Sequence, residues 1–265
     1  MSYEVSYEVL AVRYATREAR ASEMYALHPM YGEPDRGVRM DYYFWLVRGG
    51  GRTIMVDTGF APEVGDRRGR VTLCALPDAL ARLGVAAEDV DTVVVTHAHY
   101  DHAGQVGLLP RAEIVISDRE LTFWTGRYGR RPQFAHATEP ADIDALRRLD
   151  AEGRVTRIRD RHPVAPGVEL AEVGGHTPGQ LVVLVDGEDG PVLLASDAVH
   201  YYEELDLDRP FAVFADLTGM YRGFDTVREL AAGSGGAVVA GHDPAVLTRF
   251  TSWDAGDPGF AVRVG

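Results

Sequence analysis

The sequence predicts an α/β fold in which two mixed β-sheets pack together with helices outside. Two observations point there. Each half of the chain holds a glycine-rich hairpin, and each hairpin is followed by apolar β-branched runs that alternate with helical segments. In the first half, Tyr42–Val47 and Thr53–Val56 flank Gly49-Gly50-Gly51. In the second, Leu181–Val185 and Pro191–Ser196 flank Asp186-Gly187-Glu188-Asp189-Gly190. No low-complexity or Pro/Gly/Ser-rich linker divides the chain, so residues 1–265 are expected to form one domain.

The elements follow in order. After Val56 the chain enters the turn Val56-Asp57-Thr58-Gly59, and Pro77–Leu83 reads as a helix with Gly84 just past its end. Asp91–Thr96 is a continuous β-branched run, as a strand buried on both faces requires. Glu113–Ser117 is another, leading into a helix that Ser117 or Asp118 can cap. Ala141–Leu149 is helical, and Val155–Arg159 and Val168–Val173 read as strands. A helix near Asp225–Ala232 precedes the strand Ala237–Ala240, and Ala245–Phe250 suggests a last helix.

Composition narrows the function. The 265 residues suffice to bury a core without disulfides. The single cysteine, Cys74, rules out an internal disulfide and any thiolate-rich zinc knuckle. A net charge of −13 argues against nucleic acid as the main partner, since phosphate binding needs clustered cations. No stretch approaches the roughly 18 apolar residues of a membrane span. Met1-Ser2-Tyr3-Glu4-Val5 has no basic run before an apolar stretch, so a cytoplasmic location is expected.

The chemistry concentrates in His97-Ala98-His99-Tyr100-Asp101-His102, directly after the buried strand Asp91–Thr96. His97 and His99 are two apart and point the same way in extended backbone. A turn beginning after His99 would carry Asp101 and His102 to a neighbouring point. One segment can then serve two metal ions. Imidazole and carboxylate together suit zinc, and less selectively iron, manganese or cobalt. Histidine makes up 9 of 265 residues, so three within six positions is far from a chance spacing. His176 in Gly174-Gly175-His176-Thr177-Pro178-Gly179, Asp197 after Val192–Ser196, and His242 in Ala240-Gly241-His242-Asp243-Pro244 each occupy a strand-to-loop junction beside small residues.

These motifs resemble the metallo-β-lactamase superfamily, in that family's order and from residue 56 to 244. The resemblance implies an αββα sandwich with a dinuclear metal site at the rim between its sheets. By motif matching it implies that His97, His99 and His176 hold one metal, that Asp101, His102 and His242 hold the second, and that Asp197 bridges both. With Asp at 197 and no cysteine ligand, the chain looks most like the quorum-quenching N-acyl homoserine lactonase branch. Those lactonases usually place a Tyr three residues after the bridging Asp. Here that position is His200, with Tyr201 and Tyr202 beside it.

The implied reaction is the opening of a small-molecule lactone by a metal-bridging hydroxide. His200, Tyr201 or Tyr202 would assist the oxyanion, and Asp101 would pass a proton to the leaving alkoxide. The same resemblance leaves other ester and thioester hydrolases open, of the pyridoxolactonase or glyoxalase II type, as well as mononuclear-iron persulfide dioxygenases. Seven retained ligand positions favour two metals and hydrolysis. Asp57 is expected either to orient a ligand or only to shape its turn. Met24–Tyr31, Phe123-Trp124 and Phe211–Phe214 could wall a substrate pocket or serve as ordinary packing. His136 and His162 are expected at the surface.

Overall fold

In a computed structural model that describes residues 5–265, fourteen strands occur among the described residues. They are β1 (Glu8–Arg20), β2 (Gly37–Gly49), β3 (Arg52–Val56), β4 (Val71–Thr72), β5 (Thr92–Val95), β6 (Glu113–Ser117) and β7 (Val155–Ile158) in the first half. The second half holds β8 (Arg161–Ala165), β9 (Val168–Glu172), β10 (Leu181–Gly187), β11 (Gly190–Ser196), β12 (Ala237–Ala240), β13 (Thr251–Ser252) and β14 (Ala261–Arg263). Residues 1–4, part of the stretch in which no secretory signal is expected, lie outside the described residues.

One sheet runs β13-β14-β1-β2-β3-β5-β6-β7, with β4 paired to β1; the other runs β12-β11-β10-β9-β8. Both are mixed. β3, β5, β6 and β7 are parallel, as are β11 and β12, while the two hairpins β2–β3 and β10–β11 are antiparallel as expected. A parallel strand buried on both faces needs apolar residues throughout, and Val93, Val94 and Val95 of β5 are fully buried. The helix Leu217–Ser234 packs on β11 and β12; Asp118–Thr125 and Pro140–Ala151 pack beside β6 and β7. A continuous apolar core fills the space between sheets and helices. This is the αββα architecture.

The Ser117 side chain caps the helix Asp118–Thr125, accepting from the N–H groups of Arg119 and Glu120. The longest of the unexpected strands is β1, which has 13 residues and forms the longest ladder, with β2. Its charged residues Arg13, Arg17, Glu18 and Arg20 mask the apolar alternation that marks a strand. The β1–β2 register shifts between Arg13 and Ala15, leaving Tyr14 as the extra residue of a bulge. The Tyr14 hydroxyl donates to the Asp101 carbonyl at 2.9 Å, tying β1 to the loop after β5. The helix near Asp225–Ala232 is longer than expected, beginning at Leu217 under the Asp216 cap. The last predicted helix shrinks to Val246–Arg249.

Candidate metal centre

The site gathers at the carboxyl ends of β5, β9, β11 and β12, where strands hand over to loops. His97 and His99 follow β5, and the chain then turns into the short helix Tyr100–Ala103, which carries Asp101 and His102. His176 follows β9, Asp197 follows β11 and His242 follows β12. All seven side chains are buried or nearly so, none more than 6% exposed.

They form two groups. His97, His99, His176 and Asp197 present ligand atoms within 4.8 Å of one another, and so do Asp101, His102 and His242. Asp197 joins them. Its Oδ2 lies 3.2 Å from His176 Nε2 and 3.7 Å from His97 Nε2, while its Oδ1 lies 3.2 Å from His102 Nε2 and 3.0 Å from His242 Nε2. One carboxylate thus turns one oxygen to each group. The close approach depends on Gly241, where a Cβ would sit 2.6 Å from the Ser196 carbonyl oxygen and 2.9 Å from Asp197 Oδ1.

Four of the five imidazoles are held from behind. His102 Nδ1 lies 2.7 Å from Asp57 Oδ2, His176 Nδ1 donates to the Val213 carbonyl at 2.8 Å and His242 Nδ1 donates to the Asp41 carbonyl at 2.8 Å. His97 Nδ1 lies 3.1 Å from Thr96 Oγ1. With Nδ1 engaged, these four rings aim Nε2 inward, whereas His99 offers Nδ1. His99 Nδ1 lies 3.1 Å from His97 Nε2 and 3.0 Å from His176 Nε2.

The donor set fits divalent metal ions. The inward Nε2 atoms of His102 and His242 and Asp197 Oδ1 are buried with no hydrogen-bond partner, an arrangement costly to leave unfilled. Ring nitrogens about 3 Å apart suit a common ion with Zn–N distances of about 2.0–2.1 Å. Burial and the neighbouring imidazoles hold His97, His99 and His176 below the ordinary histidine range, leaving them neutral as ligands must be. For His102 burial acts the same way, but Asp197, Asp57 and Asp101 outweigh it and pull the ring well above that range. Opposing burial, His242, His200 and His102 hold Asp197 well below the usual carboxylate range.

None of the three expected oxyanion helpers lines the cavity beside the metal ligands. The Tyr201 hydroxyl turns to Met24 Sδ and the Arg39 carbonyl, both at 3.4 Å, and Tyr202 donates to the Val238 carbonyl at 3.2 Å. Tyr201 occupies the N-cap position of the helix Tyr202–Leu207, and neither phenol is among the residues that line the cavity. His200 stacks on Phe211 with ring centroids 3.7 Å apart, its Nε2 lying 3.0 Å from Asp197 Oδ2 and its Nδ1 3.3 Å from Glu204 Oε1. Burial lowers its pKa, yet the two carboxylates raise it to about 9. It backs Asp197 and does not line the cavity.

That cavity, about 220 Å³, is lined by His99, Asp101, His176 and Asp197 on the metal side. Met24, Met40, Phe211 and Val213 supply its apolar wall. Of Met24–Tyr31 only Met24 reaches it, while Leu27 and Met30 are exposed. Trp124 packs behind, edge-on to His99. Exposed His136 lies at the cavity rim, and His162 is half-buried on β8.

Sequence reasoning missed Glu120, which is fully buried. It accepts from Ala98 N and Gly179 N, both at 2.9 Å, and from Trp124 Nε1 at 2.6 Å. It staples the His97–His102 loop to the His176 loop. Its only local signal is its place in the first turn of a capped helix.

A model of the metallo-beta-lactamase superfamily matches residues 39–242, and the chain belongs to that superfamily. Within it the chain falls in the lactonase-like branch. N-acyl homoserine lactonase AiiB of Agrobacterium fabrum is 31% identical over 219 residues, covering 75% of this chain and 78% of that protein. An N-acyl homoserine lactonase of Bacillus sp is 32% identical over 136 residues, covering 51% of this chain and 49% of that protein. Among solved structures, a quorum-quenching N-acyl homoserine lactone lactonase superposes with a TM-score of 0.76 at 21% identity, covering 92% of this chain and 95% of the other. The dizinc quorum-quenching lactonase AidC gives 0.72 at 17% identity, covering 91% and 90%. Likeness at these identities speaks to the fold.

Proposed function

We propose that this chain, acting as one domain, is a dinuclear metal-dependent hydrolase that opens a lactone ring. The observation that carries the reading is Asp197, whose two oxygens face two separate ligand groups. The lactone rests on the 31% identity to a protein named as an N-acyl homoserine lactonase. His97, His99 and His176 would hold one ion and Asp101, His102 and His242 the other, with Asp197 shared. Zinc suits five imidazoles and two carboxylates. A cytoplasmic location is part of the same reading; among the described residues no helix is long and apolar enough to cross a membrane.

Two bound divalent ions would polarise the ester carbonyl and acidify a water molecule. The chain's own residues do the rest. Asp101 lines the cavity with its Oδ2 4.0 Å from both His102 Nε2 and His242 Nε2, so it can carry a proton to the ring oxygen as that oxygen leaves. Met24, Met40, Phe211 and Val213 exclude bulk water from the carbonyl.

The test is a hydrolysis screen of the metal-loaded enzyme across lactones, thioesters, β-lactams and phosphodiesters. Ring opening of lactones is expected, slowed about 100-fold or more in Asp101→Asn with most metal retained. Turnover confined to thioesters or phosphodiesters contradicts the reading.

A further inference from the structure

The cavity is also lined by three arginines, Arg17, Arg68 and Arg70, together with Tyr42 and Tyr100. Arg68 is fully engaged. It pairs with Glu139 at 2.8 Å, donates to the His136 and Thr138 carbonyls, and stacks on the Tyr100 ring. The other two form no ion pair among the described residues.

Arg70 donates Nε to the Tyr100 hydroxyl at 2.9 Å and a second N–H to the Arg68 carbonyl, but no carboxylate among the described residues pairs with it. Among the described residues the Arg17 side chain makes only a 3.8 Å contact to Met24 Sδ, and its Nε is buried without a partner. Beside them is Tyr42, 1% exposed, whose hydroxyl meets no hydrogen-bond partner of good geometry among the described residues.

These donors are held by the fold. Arg17 and Met40 are directly opposed on β1 and β2, as are Ala15 and Tyr42, so the sheet itself presents Arg17 and Tyr42 to the cavity. Glu23, which also lines the cavity, is exposed and accepts from Arg20 N at 2.7 Å. What Arg17 and Arg70 lack, among the described residues, is a carboxylate in an ion pair with them. A neutral alkyl chain gains nothing from desolvating guanidinium groups, whereas a carboxylate matches their planar donor forks. The volume of about 220 Å³ also suits a compact ligand, below the roughly 300 Å³ at which drug-sized pockets begin.

We propose that the preferred substrate is a compact lactone bearing its own carboxylate, with Arg17 and Arg70 as specificity-determining residues and Tyr42 as the third donor to that anion. This rests on the ring-opening reading above, so the test separates the two. Turnover by the metal-loaded enzyme is compared for 5-oxotetrahydrofuran-2-carboxylate and its methyl ester. Binding is compared by calorimetry for the lactam 5-oxopyrrolidine-2-carboxylate and its amide.

The carboxylate forms are expected to be favoured by about tenfold or more, in kcat/KM and in Kd respectively. Arg17→Gln and Arg70→Gln should each lower that preference about tenfold, chiefly through KM, and Arg17→Lys and Arg70→Lys should restore part of it. Equal handling of anion and ester, or equal loss for both in the variants, overturns the proposal. A lactam carboxylate bound through Arg17 and Arg70 with neither lactone opened upholds the anion pocket and overturns the lactonase reading.

Discussion

His102 Nδ1 and Asp57 Oδ2 lie 2.7 Å apart, and both side chains are wholly buried. Asp57 also accepts from Thr96 N and Thr96 Oγ1, each at 2.8 Å. The ring is thereby fixed with Nε2 toward Asp197, and the loop before His97 is fixed with it. Asp57 itself sits at φ 61°, a left-handed backbone that Asn also tolerates.

Asp57→Asn therefore removes the charge without straining the turn. Weaker metal binding by about 10–100-fold is expected at the ion held by His102, measured by competition with a chelator. Unaltered affinity for both ions would leave Asp57 with only its turn-shaping role.

Glu120 holds three buried donors from two loops and its own helix. Glu120→Ala strands all three, and a loss of at least about 3 kcal/mol in denaturant unfolding is expected. Glu120→Gln keeps an acceptor and should cost less. Equal effects would mean that the contacts are not what holds the loops together.

Asp142 provides a pH signature away from the metals. Its Oδ2 is buried without a partner, and burial with nearby Glu139 pushes the carboxyl up to about 7 despite Arg68. Because the folded-state pKa is raised, the folded protein binds more protons than the unfolded chain between about pH 4 and 7. The group's favourable contribution is present below about pH 4 and is lost as pH rises through 7. Asp142→Asn should raise Tm at pH 8 and change it little at pH 4. A uniform shift at both pH values would contradict this.

The metal centre was legible because its core is local. Thr96-His97-Ala98-His99-Tyr100-Asp101-His102 places four ligand-type side chains after one buried strand, and His176, Asp197 and His242 each announce themselves at a strand end. The hairpins were legible from their glycines. The substrate wall was not. Arg17 and Tyr42 reach the cavity only because a long charged strand, β1, pairs with β2, and charged residues in β1 obscured the strand itself. Tyr201 and Tyr202 are a related case. Proximity in sequence to Asp197 says nothing about direction, and their hydroxyls meet Met24, the Arg39 carbonyl and the Val238 carbonyl.

The central claim is that two ions, joined through Asp197, open a lactone. It is tested most directly by titrating chelator-stripped protein with zinc while following lactone hydrolysis. The account predicts that activity climbs until two equivalents are bound and then stays level, with Asp197→Ala failing to retain either ion. Full activity at one equivalent, or no ring opening at two, would contradict it.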